Sequence, residues 1–343
     1  MNPDWQLFLQ QHRAHIQDGI VQHFGNSHDE LLATQNSSIL CALSQFATLK
    51  VSGEDAKNFL QNLLSSDLQE VTPHRAQLSS LNTPKGRMLA SFLIWSTGTE
   101  YFLHLPYSLA NPMLKRLSMY ILRAKVKIED FSAQQICLGI SGSNAAMQVQ
   151  QHLGSAPQEM WGVAQHETAS VICIGPQRFQ INTTMQHAPD LWQKLSANTI
   201  AAGSVCWDSL NIRAGIPVIL PATQEQFVPQ MANLELIGGV SFKKGCYPGQ
   251  EIVARMQYLG KLKRRMYLAH IATDTPPQAG DELYNPDMAD QASGMVVNAA
   301  PAPQGGYDLL AVIQISSRET QAIHWKSLQG ATLQFLPLPY GQL

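Results

Sequence analysis

Two stretches of the chain lie over one another without a gap: VSGEDAKNFLQNLL at residues 51–64 and ISGSNAAMQVQQHL at 140–153. Ser, Gly, Ala, Gln and Leu coincide. Each copy reads as the end of a strand, a Ser-Gly turn and a helix. In the first, Ala56, Phe59, Leu60 and Leu63 make a helical stripe, and Ser52 with Asp55 resembles a capping box. A repeated strand–turn–helix cannot bury its apolar face alone, so the duplication predicts two similar α/β units side by side. The length, 343 residues, agrees, because it exceeds what one core usually serves.

The rest of the chain is laid out around those copies. Residues 3–24 predict a helix: Pro3 suits the first turn, Trp5, Phe8, Leu9, His12, Ile16 and Ile20 share a face, and Gly25 ends it. AQLSSLN, TPKGR and MLASFLIW predict a hairpin with Pro84, Lys85 and Gly86 at its turn. YFLHL, VKIEDF and RFQINTT read as strands. Residues 107–123, 189–197 and 204–213 read as helices. From Arg265 onward the texture changes to MYLAHI, DELY, GMVVNA, DLLAVIQI and ATLQFLPL, broken by PP, AGD, NPD and PQGG. That spacing predicts an all-β barrel or sandwich. The expected order is an N-terminal helix and lead-in (1–37), a first α/β unit (38–135), a second (136–262) and a β-rich C-terminal domain (263–343).

Apolar residues make up 45% of the chain and charged residues 14%, which is a globular composition and not a disordered one. The start, MNPDWQLFLQQHRAHIQDG, lacks the basic and apolar segments of a signal peptide. No apolar run reaches the roughly 18 residues of a membrane span. A cytoplasmic protein with no membrane partner is expected. The five cysteines form no C-x-x-C, so neither a zinc ribbon nor a redox pair is written here. Cys137 and Cys173, in QICLGI and SVICIG, read as small buried hydrophobes. His12, His15 and His23 share the first predicted helix, but no carboxylate completes a metal set, and no metal is expected.

The chemistry concentrates in FKKGCYPGQEIVAR, residues 242–255. Between Lys243 and Arg265 lie Lys243, Lys244, Arg255, Lys261, Lys263, Arg264 and Arg265 against a single anion, Glu251, in a chain of net charge −2. Such a local field suits an anionic ligand or nucleic acid; a solvated loop is the other reading. Cations lower a thiol's pKa, so Lys243 and Lys244 mark Cys246 as a candidate reactive thiol. Gly245 and Gly249 admit close backbone approach. Pro248-Gly249 fits the centre of a type II turn that would fix Tyr247 and Gln250, with Glu251 as an acceptor beside them. The same residues also fit a tight structural turn around an inert cysteine. No P-loop, nucleophile elbow or dinucleotide fingerprint is present.

At this stretch the sequence resembles the YgfZ family, which is related to the glycine-cleavage T-protein, an aminomethyltransferase. The signature residues stand as Lys244, Gly245, Cys246, Tyr247, Gly249, Gln250 and Glu251. WDSLNIRAGIPVI, FVPQMANLELIGGVSF, NTPKGRML and the closing PLPY agree with it, so the resemblance runs from about residue 38 to the end. It implies an α+β, T-protein-like fold: two α/β units around a central folate channel, plus a C-terminal β-barrel. It also implies tetrahydrofolate as ligand, and iron–sulfur enzymes or assembly factors, including those that modify tRNA, as partners. Carried over by position, Trp207 and Phe46 are the folate-stacking aromatics. Arg213 stands where T-protein relatives have a glutamate at the pterin edge. Where those relatives carry a pair of aspartates, one of them catalytic, this chain has Ala90 and Ser91, neither of which is a general acid or base at neutral pH.

Three functions follow from these expectations. The first is a folate-binding accessory protein for iron–sulfur enzymes, with Cys246, Lys244 and Glu251 at its chemical centre. The folate would meet Trp207, Phe46, Arg213, Gly245, Tyr247, Gly249 and Gln250. The second is a folate-dependent one-carbon transferase or demethylase, which Ala90 and Ser91 disfavour. The third is a tRNA-binding module using Lys261, Lys263, Arg264 and Arg265.

Overall fold

The computed structural model describes residues 1–258, 260, 262–288 and 291–341. Contacts divide the chain into two compact units. The first is Met1–Phe59, Leu68–Gln77 and Leu93–Trp207. The second is Leu60–Asp67, Leu78–Phe92 and Asp208–Leu343.

The helix expected over 3–24 stops at Gln11. Asn2 caps its start by accepting from Asp4 N and Trp5 N. Beyond it, His15–Gln17 pairs with Ile20–His23 as a hairpin. The hairpin turns at Asp18-Gly19, both at positive φ, a dipeptide suited to tight hairpins. That local turn signal overrides the helical spacing of Ile16 and Ile20. A helix absent from the sequence reading, Ser27–Asn36, follows. Its buried Glu30 accepts from Phe24 N and Gly203 N.

The first unit is built on a six-stranded sheet in the order Val163–Gln165, Ala169–Gly175, Arg178–Thr184, Gln135–Ser141, Ile39–Ala42, Ile200–Ala202. The last pair is parallel and the others antiparallel. Successive side chains on a strand point to opposite faces. On one face Leu40, Ile136, Leu138, Ile140, Phe179 and Ile181 meet Ala145, Val149, Leu191 and Trp192 from the helices Ala145–Leu153 and Ala188–Ser196 in an apolar core. The register sets Cys137 opposite Asn182 and Gly139 opposite Gln180, so these four share the other face. In the same unit, Phe46–Ser52 lies between Tyr101–Pro106 and Lys127–Asp130. The helix Tyr107–Ser118 buries Leu109, Ala110, Met113 and Leu117.

The sequence repeat has a steric cause. Gly53 and Gly142, in the two Ser-Gly turns, have φ of 114° and 125°. A Cβ on Gly53 would sit 2.1 Å from Lys125 O, and one on Gly142 would sit 2.4 Å from Ser37 O. Each turn then closes alike: Ala56 N donates to Gly53 O at 3.1 Å and Ala145 N to Gly142 O at 3.0 Å. The capping box expected at Ser52 and Asp55 does not form; Asp55 Oδ2 instead accepts from Lys125 N at 2.8 Å, which ties the turn to the same crossing segment.

In the second unit the expected hairpin turns at residues 83–86, with Gly86 N donating to Thr83 O at 2.9 Å and Thr83 N to Arg87 O at 2.8 Å. The C-terminal segment is one antiparallel sheet in the order His324–Trp325, Glu282–Tyr284, Gly294–Pro301, Tyr307–Gln314, Arg264–Ile271, Leu333–Leu336. Its two end strands meet: Trp325 N donates to Ala331 O at 3.0 Å and Leu333 N to Ile323 O at 2.9 Å. The sheet therefore closes as a barrel, which removes its free edges, around Ala269, Leu283, Val296, Leu309, Ala311 and Ile323.

Gly142→Ala is expected to cost about 2 kcal/mol or more, from left-handed strain plus the clash with the Ser37 carbonyl. Urea unfolding measures it. Gly175→Ala, where a Cβ would meet nothing within 4 Å, serves as the comparison and should stay within about 0.5 kcal/mol of wild type.

Candidate functional site

The KGCYPGQE stretch lies in the second unit. Tyr247 O accepts from Gln250 N at 3.1 Å and Gly249 has φ 79°, the type II turn that Pro248-Gly249 suggests. Its backbone rests directly on the hairpin turn: a Cβ on Gly249 would meet Thr83 O at 2.5 Å and Gly86 Cα at 2.6 Å. Two glycine turns distant in sequence are thus packed backbone to backbone. The helix Gln250–Tyr258 follows, held by Gln230 Nε2 donating to Val253 O at 2.6 Å.

The two lysines separate. Lys243 is exposed. Lys244 is 8% exposed, and its ammonium donates to the carbonyls of Gln61, Leu64 (2.6 Å) and Ser66 (3.0 Å). These carbonyls stand at and just beyond the end of the helix Ala56–Gln61, where backbone acceptors lack helical partners. All three ammonium donors are thereby engaged. Burial pulls the Lys244 pKa down to about 8, opposed by the charge of Asp67. Lys244 therefore acts on the backbone, as a helix C-cap. Tyr247 is also buried, its ring 5.2 Å from the ammonium. Burial raises its pKa to about 12, and its hydroxyl has no hydrogen-bond partner among the described residues. Gln250 Nε2 donates to Lys244 O at 3.3 Å. Gly245, Cys246 and Glu251 are exposed. The stretch thus turns Lys244 and Tyr247 inward and leaves the thiol, Lys243 and Glu251 in solvent.

Other expected site residues of this unit have internal partners. Ser91 Oγ accepts from Ile219 N at 3.1 Å and donates to Pro217 O at 3.3 Å, and Ala90 is fully buried. Arg213 Nε donates to Asp308 Oδ2 at 2.5 Å, while Asp308 Oδ1 faces His270 Nδ1 at 3.0 Å. Arg265 bonds Gln230 O at 3.1 Å and Asn233 Oδ1 at 3.3 Å, and pairs with the buried carboxylate of Glu235. Burial raises the Glu235 pKa against that pairing. Arg264 Nη2 reaches Ala292 O at 3.5 Å. Of the expected nucleic-acid cations, Lys263 is exposed and Lys261 lies outside the described residues.

Trp207 and Phe46 belong to the first unit, on the second face of its six-stranded sheet. The Trp207 indole lies over Gly139, where a Cβ would come within 2.5 Å of Cζ3. Its ring is covered by the Arg178 guanidinium, 4.2 Å from the centroid. Trp207 is therefore a shelf for a cation. Beside Arg178 on the strand come Gln180 and Asn182, each 2% exposed. Gln180 Nε2 donates to Asn182 Oδ1 at 2.8 Å; Asn182 Nδ2 has no partner among the described residues. Cys137 Sγ lies 3.3 Å from Asn182 Oδ1 and 4.0 Å from His104 Nδ1. His104 packs on Phe46, ring centroids 4.6 Å apart, and its Nε2 also lacks a partner among the described residues. Burial drives the His104 pKa down to about 3 and the Cys137 thiol up to about 12, so the imidazole is neutral and this thiol is protonated. Phe46, Thr48 and Cys137 line a cavity of about 40 Å³, room for a few waters.

The sequence reading missed His104, Arg178, Gln180 and Asn182. RFQINTT carries their alternation openly, but Arg-Gln-Asn against Phe-Ile-Thr is the ordinary pattern of a strand with one wet face. Only burial of both faces makes it a candidate site.

The GCVT N-terminal domain family matches residues 8–244. Among characterised relatives, the protein named tRNA-modifying protein YgfZ from Escherichia coli (strain SE11) is 29% identical over 303 residues, 88% of this chain and 93% of that one. The protein of the same name from Shigella boydii serotype 18 matches to the same extent. The glycine cleavage system aminomethyltransferase T from Bartonella henselae shares the fold, with a TM-score of 0.80 at 17% identity, over 98% of this chain and 96% of its own.

Lys244→Met is expected to lower stability by about 3 kcal/mol or more, because it removes three hydrogen bonds made by a buried charged donor, each contributing about 1.5–3 kcal/mol. Cys246→Ala, at an exposed position, should change it by less than about 0.5 kcal/mol. Equilibrium urea unfolding of both variants separates the two roles.

Proposed function

Because the chain belongs to the GCVT N-terminal domain family, we propose that it binds tetrahydrofolate and supports iron–sulfur enzymes, those that modify tRNA among them. The relatives named tRNA-modifying protein YgfZ connect it to that process. The observation that carries the ligand is the buried polar face of the six-stranded sheet. Arg178, Gln180 and Asn182 are out of water, and Asn182 Nδ2 and His104 Nε2 have no hydrogen-bond partner among the described residues. A buried polar atom left unpaired costs about 1–3 kcal/mol, so a face carrying two of them fits a ligand with matching groups. A pterin ring, flat and edged with acceptors and donors, meets that description.

A bound reduced folate supplies a one-carbon acceptor nitrogen and a reducing pterin ring. The chain's own residues bind and orient it. Asn182 Nδ2 is a donor for a ring acceptor. Arg178, held flat by Trp207, offers a guanidinium for a carbonyl or carboxylate oxygen. Phe46 and His104 provide aromatic faces, and the neutral imidazole presents Nε2 without adding charge. Ala90 and Ser91 give no acid or base for aminomethyl transfer, so binding and support of other enzymes fit better than turnover in the manner of an aminomethyltransferase. Cys246, exposed on a rigid turn, is the group available to chemistry outside the fold.

Anaerobic titration calorimetry with tetrahydrofolate tests the ligand. Asn182→Leu and Arg178→Met should each weaken binding tenfold or more, about 1.4 kcal/mol. Absence of binding by the wild type, or unchanged affinity in both variants, would sink the assignment. Cys246→Ala should bind tetrahydrofolate as the wild type does yet lose support of iron–sulfur enzyme activity. Full support by that variant would remove the thiol from the mechanism.

A further inference from the structure

The turn that ends the helix Tyr107–Ser118 combines cations, solvent-exposed apolar side chains and a left-handed leucine. From Tyr107 to Ile128 the sequence contains no Asp or Glu, and it carries Lys115, Arg116, Arg123, Lys125 and Lys127. Lys125 and Lys127 pair with Glu54 and Glu129. Lys115 and Arg123 are exposed and Arg116 half-exposed. Between them stand apolar side chains in solvent: Met119 is 66% exposed, Tyr120 40% and Leu122 90%. Leu122 also has φ 44°, a left-handed conformation that costs a leucine energy and gains it no burial. Backbone strain of this kind gathers at functional surfaces. The helix C-terminus accounts for Lys115 and Arg116 through its dipole. It does not account for Arg123, for the strain at Leu122, or for an aromatic ring set among cations.

We infer that residues 115–123 form a docking surface for structured RNA of the tRNA class, with Lys115, Arg116 and Arg123 on phosphates and Tyr120 and Leu122 against exposed bases or sugars. A field of one sign suits a polyanion, and RNA binding pairs cations with an exposed stacking ring. A lipid surface fits less well, because the apolar side chains sit on a turn and offer no helix face of the kind that lies in a membrane interface. This inference rests on the tRNA side of the proposed function. It transfers the expected nucleic-acid contact away from Arg265, which is bound internally.

The test is fluorescence anisotropy of end-labelled bulk tRNA over a salt series, with the full chain. The variants are Lys115→Ala/Arg116→Ala/Arg123→Ala, Tyr120→Ala and Leu122→Gly, each checked by circular dichroism to retain the fold. The triple variant should lose tenfold or more in affinity, and its slope of log K against log salt should flatten by about 2–3, at roughly 0.7–0.9 per lost cation. Tyr120→Ala and Leu122→Gly should weaken binding with little change of slope. Wild-type affinity and slope in the triple variant would overturn the surface while leaving the proposed function standing. Binding of the wild type to phosphatidylglycerol vesicles without binding to tRNA would also overturn it, in favour of a lipid. Tetrahydrofolate affinity, measured on the same variants, should not move. Wild-type protein that binds tRNA but not tetrahydrofolate would instead reject the folate reading alone.

Discussion

A single buried ammonium organises the signature region. Taking a lysine out of water is expensive unless its donors are met. Lys244 meets that demand with three backbone carbonyls, of Gln61, Leu64 and Ser66. Those carbonyls stand at and just beyond the end of the helix Ala56–Gln61, where the chain leaves its helical hydrogen bonding, so one contact answers two needs. Because the lysine is fixed, the chain after it is fixed as well: Tyr247 goes inward, Gly249 packs on the hairpin turn, and Cys246 is left outside. Ser65 Oγ donates to Gly239 O at 2.7 Å and Ser241 N to Ser65 O at 2.9 Å, which ties the segment before Lys244 to the same loop. An exposed thiol on a rigid turn is presented in one orientation, and a partner can meet it without reordering the protein.

The other unit has an opposite economy. Its six-stranded sheet has one face that is an ordinary apolar core and one that is buried and polar. Arg178, Gln180 and Asn182 are held by Trp207, by one another and by the Cys137–His104 neighbourhood, yet Asn182 Nδ2 has no partner among the described residues. A face of this kind costs the fold stability when empty, and that cost is the ground for the proposed ligand. The low pKa of His104 and the high pKa of Cys137 have one cause, burial. Both groups stay uncharged near neutral pH, so the face presents shape and hydrogen bonds beside the Arg178 cation.

Much of this was legible in residue patterns. The Ser-Gly repeat, the TPKG turn, the Pro248-Gly249 turn and the closing β-rich segment each follow from short-range rules of glycine, proline and alternation. The first helix was misjudged because Ile16 and Ile20 keep helical spacing while Asp18-Gly19 makes a hairpin; the nearer signal won. The basic run was misjudged in another way. Lys244 and Arg265 look in sequence like surface charge, and both are bound inside, one by carbonyls and one by Glu235.

The amino-acid order by itself determined where the chain turns, which segments are strands or helices, and which family it resembles, because those depend on neighbours a few residues away. Which way a side chain faces, and whether its second face meets water, depends on segments far off in the chain. So the tertiary structure alone decided that Lys244 caps a helix, that Arg178 rides on Trp207, that Asn182 is sealed with a donor to spare, and that Cys246 is the exposed member of its motif.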